Sequence, residues 1–291
     1  MSKLPSFLIA LTIAGSDSGG GAGLQADLKT FAALGVHGTC AVTCITAQNP
    51  RRVTGIEACR PEMIRRQIQA VFAELPPAAV KTGMLHNARA IRAVLSELQK
   101  HPNVPLVVDP VMVATSGARL LEPAALKLLV TRLLPLAALV TPNLDEAAIL
   151  VGRPLRSVED MRAAAREIVR RFGCAALVKG GHLRQTREAV DIFFDGKEEL
   201  LLSAPFVSGL HTHGTGCTYS AAITAHLALG RRLPAAVAAA KEFISNAIVH
   251  SRTAAGHSVL NHFAGGPALK ENRLVGGASA HASARRGRVA K

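Results

Sequence analysis

The chain has 291 residues, 49% hydrophobic and 19% charged, enough apolar material for one sizeable core and too much for a disordered chain. No apolar run reaches the ~18 residues of a membrane span, and the first residues lack the basic start and long apolar stretch of a secretory signal, so a cytoplasmic protein is expected. The net charge is +14, of which Gly266–Lys291 carries +5 and the rest +9.

Leu8–Ala14 is an apolar run that stops at Gly and Ser and predicts a strand. Ala22–Leu34 follows as a helix, with Leu24, Leu28 and Phe31 at i, i+4 and i+7 and Gly35 as its stop. Thr39–Ala47, rich in Val, Thr, Ile and Cys, predicts a second strand. A helix begins at Pro61 and gathers Ile64, Ile68, Val71, Phe72 and Leu75 on one face. Ala79–Thr82 reads as a strand, Ala88–Leu98 as a helix, and Pro105–Asp109 as a buried strand ending in an acid. Pro123–Leu134 predicts a helix, Leu139–Thr141 a strand, Ser157–Phe172 a helix capped by Ser157, and Ala175–Lys179 a strand. Ala189–Phe194 and Glu199–Leu202, joined at Asp195-Gly196, predict an antiparallel hairpin. Two helices, Gly214–Leu229 and Pro234–His250, complete the pattern. The alternation implies an α/β fold: a three-layer α/β/α domain over residues 1–265, with a mostly parallel central sheet and an antiparallel hairpin at one edge. Residues 266–291, rich in Gly, Ala, Ser and Arg, are expected to be a basic, disordered tail.

Charge and cysteine usage narrow the function. A basic surface favours anionic ligands, but no Trp and one Tyr leave little with which to stack bases. Nucleic-acid binding through the tail is therefore a distant alternative. Five cysteines, an odd number without CxxC spacing, argue against a disulfide framework and for a reducing compartment.

Four motifs carry candidate chemistry. Gly15-Ser-Asp-Ser-Gly-Gly-Gly-Ala-Gly23 joins the first strand to the first helix, where bare backbone can approach a ligand. Gly21-x-Gly23-x-x-Ala26 is only a loose dinucleotide fingerprint, and no GxxxxGK[ST] occurs. Asp27 falls on or beside the apolar stripe of that helix and needs a partner, either a ligand or the protein's own backbone. Asp109, Asn143 and Glu146 follow predicted strands and offer hard oxygen donors suited to magnesium; alternatively Asn143 caps the helix that begins at Leu144. Lys179-Gly-Gly-His182 sets a lysine beside glycines, a pairing that meets phosphates or merely makes a turn. In His213-Gly-Thr-Gly-Cys217, the glycines expose amides at a helix N-terminus and suggest an anion hole for a phosphoryl group. Cys217, in the same turn, is expected to be drawn from a reference value of ~8.5 toward thiolate and to accept a proton from an attacking alcohol. His211, His213 and Cys217 match no common closed zinc spacing.

The order of these motifs resembles the ribokinase superfamily, and within it the hydroxymethylpyrimidine/phosphomethylpyrimidine kinases of thiamine biosynthesis. The resemblance runs from Ala10 to Phe263 and rests on Ala14–Asp27, Thr46-Ala-Gln-Asn49, Lys81-Thr-Gly-Met84, Asp109-Pro-Val-Met112, Thr141-Pro-Asn143 with Glu146, Lys179–His182 and His213–Cys217. It implies a ribokinase-like fold and ATP-dependent phosphorylation of 4-amino-5-hydroxymethyl-2-methylpyrimidine to its monophosphate and then to its diphosphate. It also implies site residues. Gly15, Asp27, Thr46, Gln48 and Met84 would line the pyrimidine pocket, with Asp27 bonded to the ring and its amino group. Asn143 and Glu146 would organise Mg2+ with help from Asp109, Lys179 and Asn143 would meet ATP, and Gly214, Thr215 and Gly216 would form the anion hole. Cys217 stands where most of the superfamily has Asp, as in the pyrimidine kinases and some vitamin B6 kinases. A pyridoxal/pyridoxine kinase is thus the nearest alternative, and a homodimer is common in the superfamily. The chain departs from the pattern at Ser18, where a Pro is usual, at Gly19, where a Ser is common, and in the basic Pro50-Arg51-Arg52.

Overall fold

A computed structural model describes residues 6–113, 120–181, 183, 188–207 and 213–264. The expected tail, His182 and His211 lie outside the described residues. The chain runs β1 (Ile9–Asp17), α1 (Gly23–Ala33), β2 (His37–Asn49), β3 (Arg52–Ala58), α2 (Pro61–Glu74), β4 (Ala79–Thr82), α3 (Ala88–Leu98), β5 (Leu106–Val108) and α4 (Pro123–Leu128). It continues through β6 (Leu139–Val140), α5 (Leu144–Val151), α6 (Val158–Phe172), β7 (Ala175–Lys179), β8 (Glu188–Phe194), β9 (Glu199–Pro205), α7 (Thr215–Ala228), α8 (Leu233–Val249), β10 (Arg252–Ala254) and β11 (His257–Val259).

Nine strands form one sheet in the order β3-β2-β1-β4-β5-β6-β7-β8-β9. The pairs from β2 to β7 are parallel. Antiparallel pairs close both edges: β3 on β2, and β8 and β9 on β7. The expected antiparallel hairpin at one edge is β8–β9, and β3 adds an antiparallel strand at the other edge. Arg52–Ala58 escapes prediction because neither of its faces is buried, which leaves no period-two alternation to read. The predicted helix Pro123–Leu134 is also corrected. It is α-helical to Leu128, a π turn over Leu129–Leu133, and a 3-10 turn over Leu134–Leu136, where Pro135 lacks the N–H that would continue the ladder.

Alternate residues of β1 feed opposite layers. Leu11 and Ile13 join Ile64, Ile91, Leu129 and Ile168 under α2–α6, while Ala10 packs with Phe31, Ala221 and Ala225 under α1 and α7. The small Ala221 and Ala225 let α7 lie close to the sheet. Its N-terminus is thereby carried over the strand ends. The sheet order reverses at β1, whose neighbours on either side are β2 and β4, and open α/β sheets bind ligands in the crevice beyond such a point.

Candidate active site

A cleft of about 1080 Å³ opens over the carboxyl ends of the parallel strands. Twelve of the thirteen residues singled out from sequence line it: Gly15, Thr46, Gln48, Met84, Asp109, Asn143, Glu146, Lys179 and the run Gly214, Thr215, Gly216 and Cys217. Asp27 is the exception and a correction. Its carboxylate is fully buried, accepts hydrogen bonds from Thr12 Oγ1 at 2.6 Å and Lys81 Nζ at 2.7 Å, and does not line the cleft. The expected need for a partner is met, but the partner is Lys81 on β4 rather than a ligand.

Backbone approach sets the shape of the site. β1 slips register between Ala14 and Ser16, and the slip presses Gly15 against its neighbours. A Cβ there would lie 2.8 Å from Cys44 Sγ and 3.3 Å from Met84 Sδ. Gly214, the N-cap of α7, has φ +86°, and a Cβ on it would fall 1.8 Å from the Gly21 carbonyl oxygen. Gly214→Ala therefore faces both a hard clash and a strained backbone. We expect it to displace the first turn of α7 and abolish turnover at unchanged expression, measured by steady-state kinetics. Gly216 lies against Lys179, whose Nζ is 3.1 Å from its Cβ position. The lysine and the first-turn amides thus face the same space.

Cys217 sits in that turn, half-buried, on the cleft wall. Its expected drift toward thiolate is corrected: burial pushes the thiol up to about 12, although Lys81 and the Gly23 N–H pull the other way, and Asp109 and Asp27 add to the rise. A helix N-terminus lowers a thiol only where its field is not outweighed by lost hydration and nearby carboxylates.

Across the cleft, Lys179 Nζ meets Asp109 Oδ1 at 3.3 Å, and Ser220 Oγ donates to Asp109 Oδ2 at 3.2 Å. Burial alone would lower the Lys179 ammonium, but Asp109 and Glu146 outweigh it and keep the lysine charged. Asn143 caps α5 in a full capping box: its Oδ1 accepts the Glu146 N–H at 2.9 Å, and Glu146 Oε2 accepts the Asn143 N–H at 2.9 Å. Glu146 Oε1 accepts the Met112 N–H at 3.1 Å. Burial raises the Glu146 carboxyl, and Asp109 adds to the rise. Among the described residues no three His, Cys, Asp or Glu side chains converge on one point as a chelating set.

Asp17 and His213 were not singled out as site residues from sequence, yet both line the cleft. Asp17 Oδ1 accepts the Gly19 N–H at 2.8 Å, and Oδ2 accepts the Gly21 and Ala22 N–H groups at 3.1 and 2.8 Å. His213 Nε2 lies 3.0 Å from Asp17 Oδ2 and 3.1 Å from Gln48 Nε2. The signal was present inside both glycine motifs, each carrying one polar side chain able to order its own loop. Ser18, a departure from the family pattern, has a role a proline could not fill: its hydroxyl donates to Gln48 O and accepts from Gln48 N, each at 2.8 Å. The apolar end of the cleft, with Phe206, Val207, Ile244, Ile248 and Val249, was also missed, because α8 reads as an ordinary core helix.

The three-layer architecture, the switch-point cleft, and a glycine-rich helix start facing a half-buried lysine define a ribokinase-like small-molecule kinase. The chain belongs to the phosphomethylpyrimidine kinase family, whose model matches residues 17–261. It is 52% identical over 241 residues to a hydroxymethylpyrimidine/phosphomethylpyrimidine kinase of Rhizobium meliloti, covering 82% of this chain and 90% of the relative. It is 47% identical over 257 residues to that of Synechococcus elongatus, covering 88% and 97%. Among solved structures, a phosphomethylpyrimidine kinase from Clostridium difficile superposes with a TM-score of 0.74 at 42% identity, covering 83% of this chain and 99% of that one. A pyridoxal kinase from Bacillus subtilis in complex with ADP superposes with a TM-score of 0.82 at 38% identity, covering 89% and 98%.

Proposed function

We propose that this chain transfers the γ-phosphoryl group of ATP to the alcohol of 4-amino-5-hydroxymethyl-2-methylpyrimidine, and then a second phosphoryl group to the monophosphate formed. The observation that carries the reading is one cleft holding both halves of the reaction. A small polar and sulfur-lined end (Gly15, Thr46, Gln48, Met84) suits a substituted pyrimidine, and beside it Cys217 and the α7 amides face Lys179. In the first step the substrate oxygen bonds to the γ-phosphorus, the bond to the bridging oxygen breaks, ADP departs, and the alcohol proton passes to the Cys217 sulfur in its thiolate form. Lys179 and the amides of Gly214, Thr215 and Gly216 balance charge on the phosphoryl oxygens, the dominant contribution in a loose transition state.

Asp109, Glu146 and Asn143 fit Mg2+ held partly through water and phosphate oxygens: two buried carboxylates, of which Glu146 is raised by burial and by the charge of its neighbour, sit beside an amide, all hard oxygen donors. Each already serves a protein partner, so they would hold the ion with lone pairs left over. Bound there, it would neutralise charge on the ATP phosphates.

The likeness to a pyridoxal kinase favours vitamin B6 alcohols as a second reading. ATP consumption with the pyrimidine alcohol, with product masses resolving one added phosphate from two, tests the proposal. Faster turnover of pyridoxine, or a product that stops at one phosphate, would overturn it.

A further inference from the structure

We infer that His213 is a positioning residue for pyrimidine recognition: it fixes which way the Gln48 amide faces, and so presents a donor and an acceptor side by side to the aminopyrimidine edge. The inference rests on the proposed function and extends it to a side chain that lies outside the reacting groups.

The argument is donor and acceptor arithmetic. Asp17 is an acceptor. Burial would raise its carboxyl, but hydrogen bonds from His213, Ala22 and Gly19 outweigh burial and hold it below the usual carboxylate range. His213 Nε2, 3.0 Å away, therefore carries the proton and donates it to Asp17 Oδ2. That nitrogen then has no lone pair for the Gln48 N–H group, whose nitrogen is placed 3.1 Å from it. A half-turn of the Gln48 amide resolves the conflict, since its two ends differ only in their partners. Gln48 Oε1 then faces the single His213 Nε2–H and shares it with Asp17 Oδ2 as a three-centre bond, whereas an amide NH2 there would meet no lone pair. The amide nitrogen takes the position 3.1 Å from Thr46 Oγ1, whose own proton goes to Ser16 O at 2.8 Å and whose lone pair is left for the amide. The donor-on-donor conflict at His213 Nε2 is gone, and one Gln48 N–H is left over.

The rest of the surroundings hold this arrangement still. The His213 ring lies against bare Gly21, where a Cβ would come within 2.8 Å of its Cδ2. The Gln48 backbone is bonded in both directions to Ser18 Oγ. Gln48 lines the cleft, so its remaining N–H and its remaining oxygen lone pair are available to a ligand there. They match a ring nitrogen beside an exocyclic amino group. Pyridoxine has no ring nitrogen beside an amino group, so the same device discriminates against it.

The test is calorimetric binding of the pyrimidine alcohol without ATP, beside an analogue lacking the 4-amino group. His213→Phe should weaken the pyrimidine alcohol by roughly tenfold, the worth of about one good hydrogen bond, and should erase the preference over the analogue. It should leave the KM for ATP unchanged. In a Gln48→Ala background it should add less than about twofold, because a residue that acts through Gln48 has nothing left to act on. His213→Gln places an amide N–H near the Nε2 position, within reach of Asp17 and Gln48, and should restore binding to within about threefold. An additive loss in the Gln48→Ala background, a raised KM for ATP, or a Gln variant as weak as Phe would each overturn the inference. If the unaltered protein does not bind the pyrimidine alcohol, the proposed function itself fails; if it binds and His213→Phe binds equally, the positioning role alone fails.

Discussion

Cys217→Ala is expected to lower the rate of the first phosphorylation by ~10²–10⁴-fold, the usual contribution of a general base, with little change in the KM for ATP. The sign of the accompanying pH dependence follows from the thiol's surroundings. Burial pushes Cys217 up to about 12, so near neutrality the sulfur is protonated, and the reactive thiolate fraction grows with rising pH. The first-step rate should climb by up to about tenfold per unit from pH 7 to 9, without levelling. Cys217→Asp supplies a group already ionised at neutral pH, and should recover part of the lost rate while flattening that profile. A wild-type profile flat across this range, or an alanine variant with near-full turnover, would remove Cys217 from the role of proton acceptor. The second step behaves differently. Its acceptor is a phosphate that is largely deprotonated near neutrality, so the loss in Cys217→Ala should be clearly smaller there. Equal losses in both steps would contradict the proposal.

Lys81→Met is expected to destabilise the protein by about 3–5 kcal/mol, the cost of leaving one member of a buried ion pair without its partner. Lys81 and Asp27 are both fully buried, 2.7 Å apart, and link β4 to α1 beneath the cleft. Burial alone would lower the Lys81 ammonium, but Asp27, Cys217 and Asp109 outweigh it and keep it charged. Removing that charge strands the Asp27 carboxylate with Thr12 as its remaining hydrogen-bond donor. The melting temperature should fall by roughly 6–15 °C. Asp27→Asn combined with Lys81→Met takes out both charges and should regain most of the loss, since a neutral pair of similar volume carries no desolvation penalty. A double variant as unstable as the sum of its single variants would show that the two side chains act separately.

The fold was legible wherever an element buries one face. β4, α3 and β7 match their predicted bounds because each meets the core with a short, unambiguous apolar pattern bounded by Pro, Asn or Gly. β3 was invisible because an edge strand exposed on both faces has no such pattern. Within the site, glycine motifs and strand-end polar residues were legible because bare backbone and hard oxygens at those places have few other uses. Of the two readings of Asn143, the helix cap is observed.

The order of strands and helices along the chain determined the layer architecture and put polar and glycine motifs at strand ends, and the family resemblance added Thr46, Gln48 and Met84; the cleft is lined by residues from both sources. Only the tertiary structure decided that Asp27 faces Lys81, that the Cys217 thiol is held protonated, and that Asp17, His213 and Gln48 form one network. Local periodicity records which side of an element is buried. The partner and the hydration left to a polar group depend on residues far off in sequence, such as the 54 positions separating Asp27 from Lys81 and the 196 separating Asp17 from His213. Those distances close only when the sheet forms.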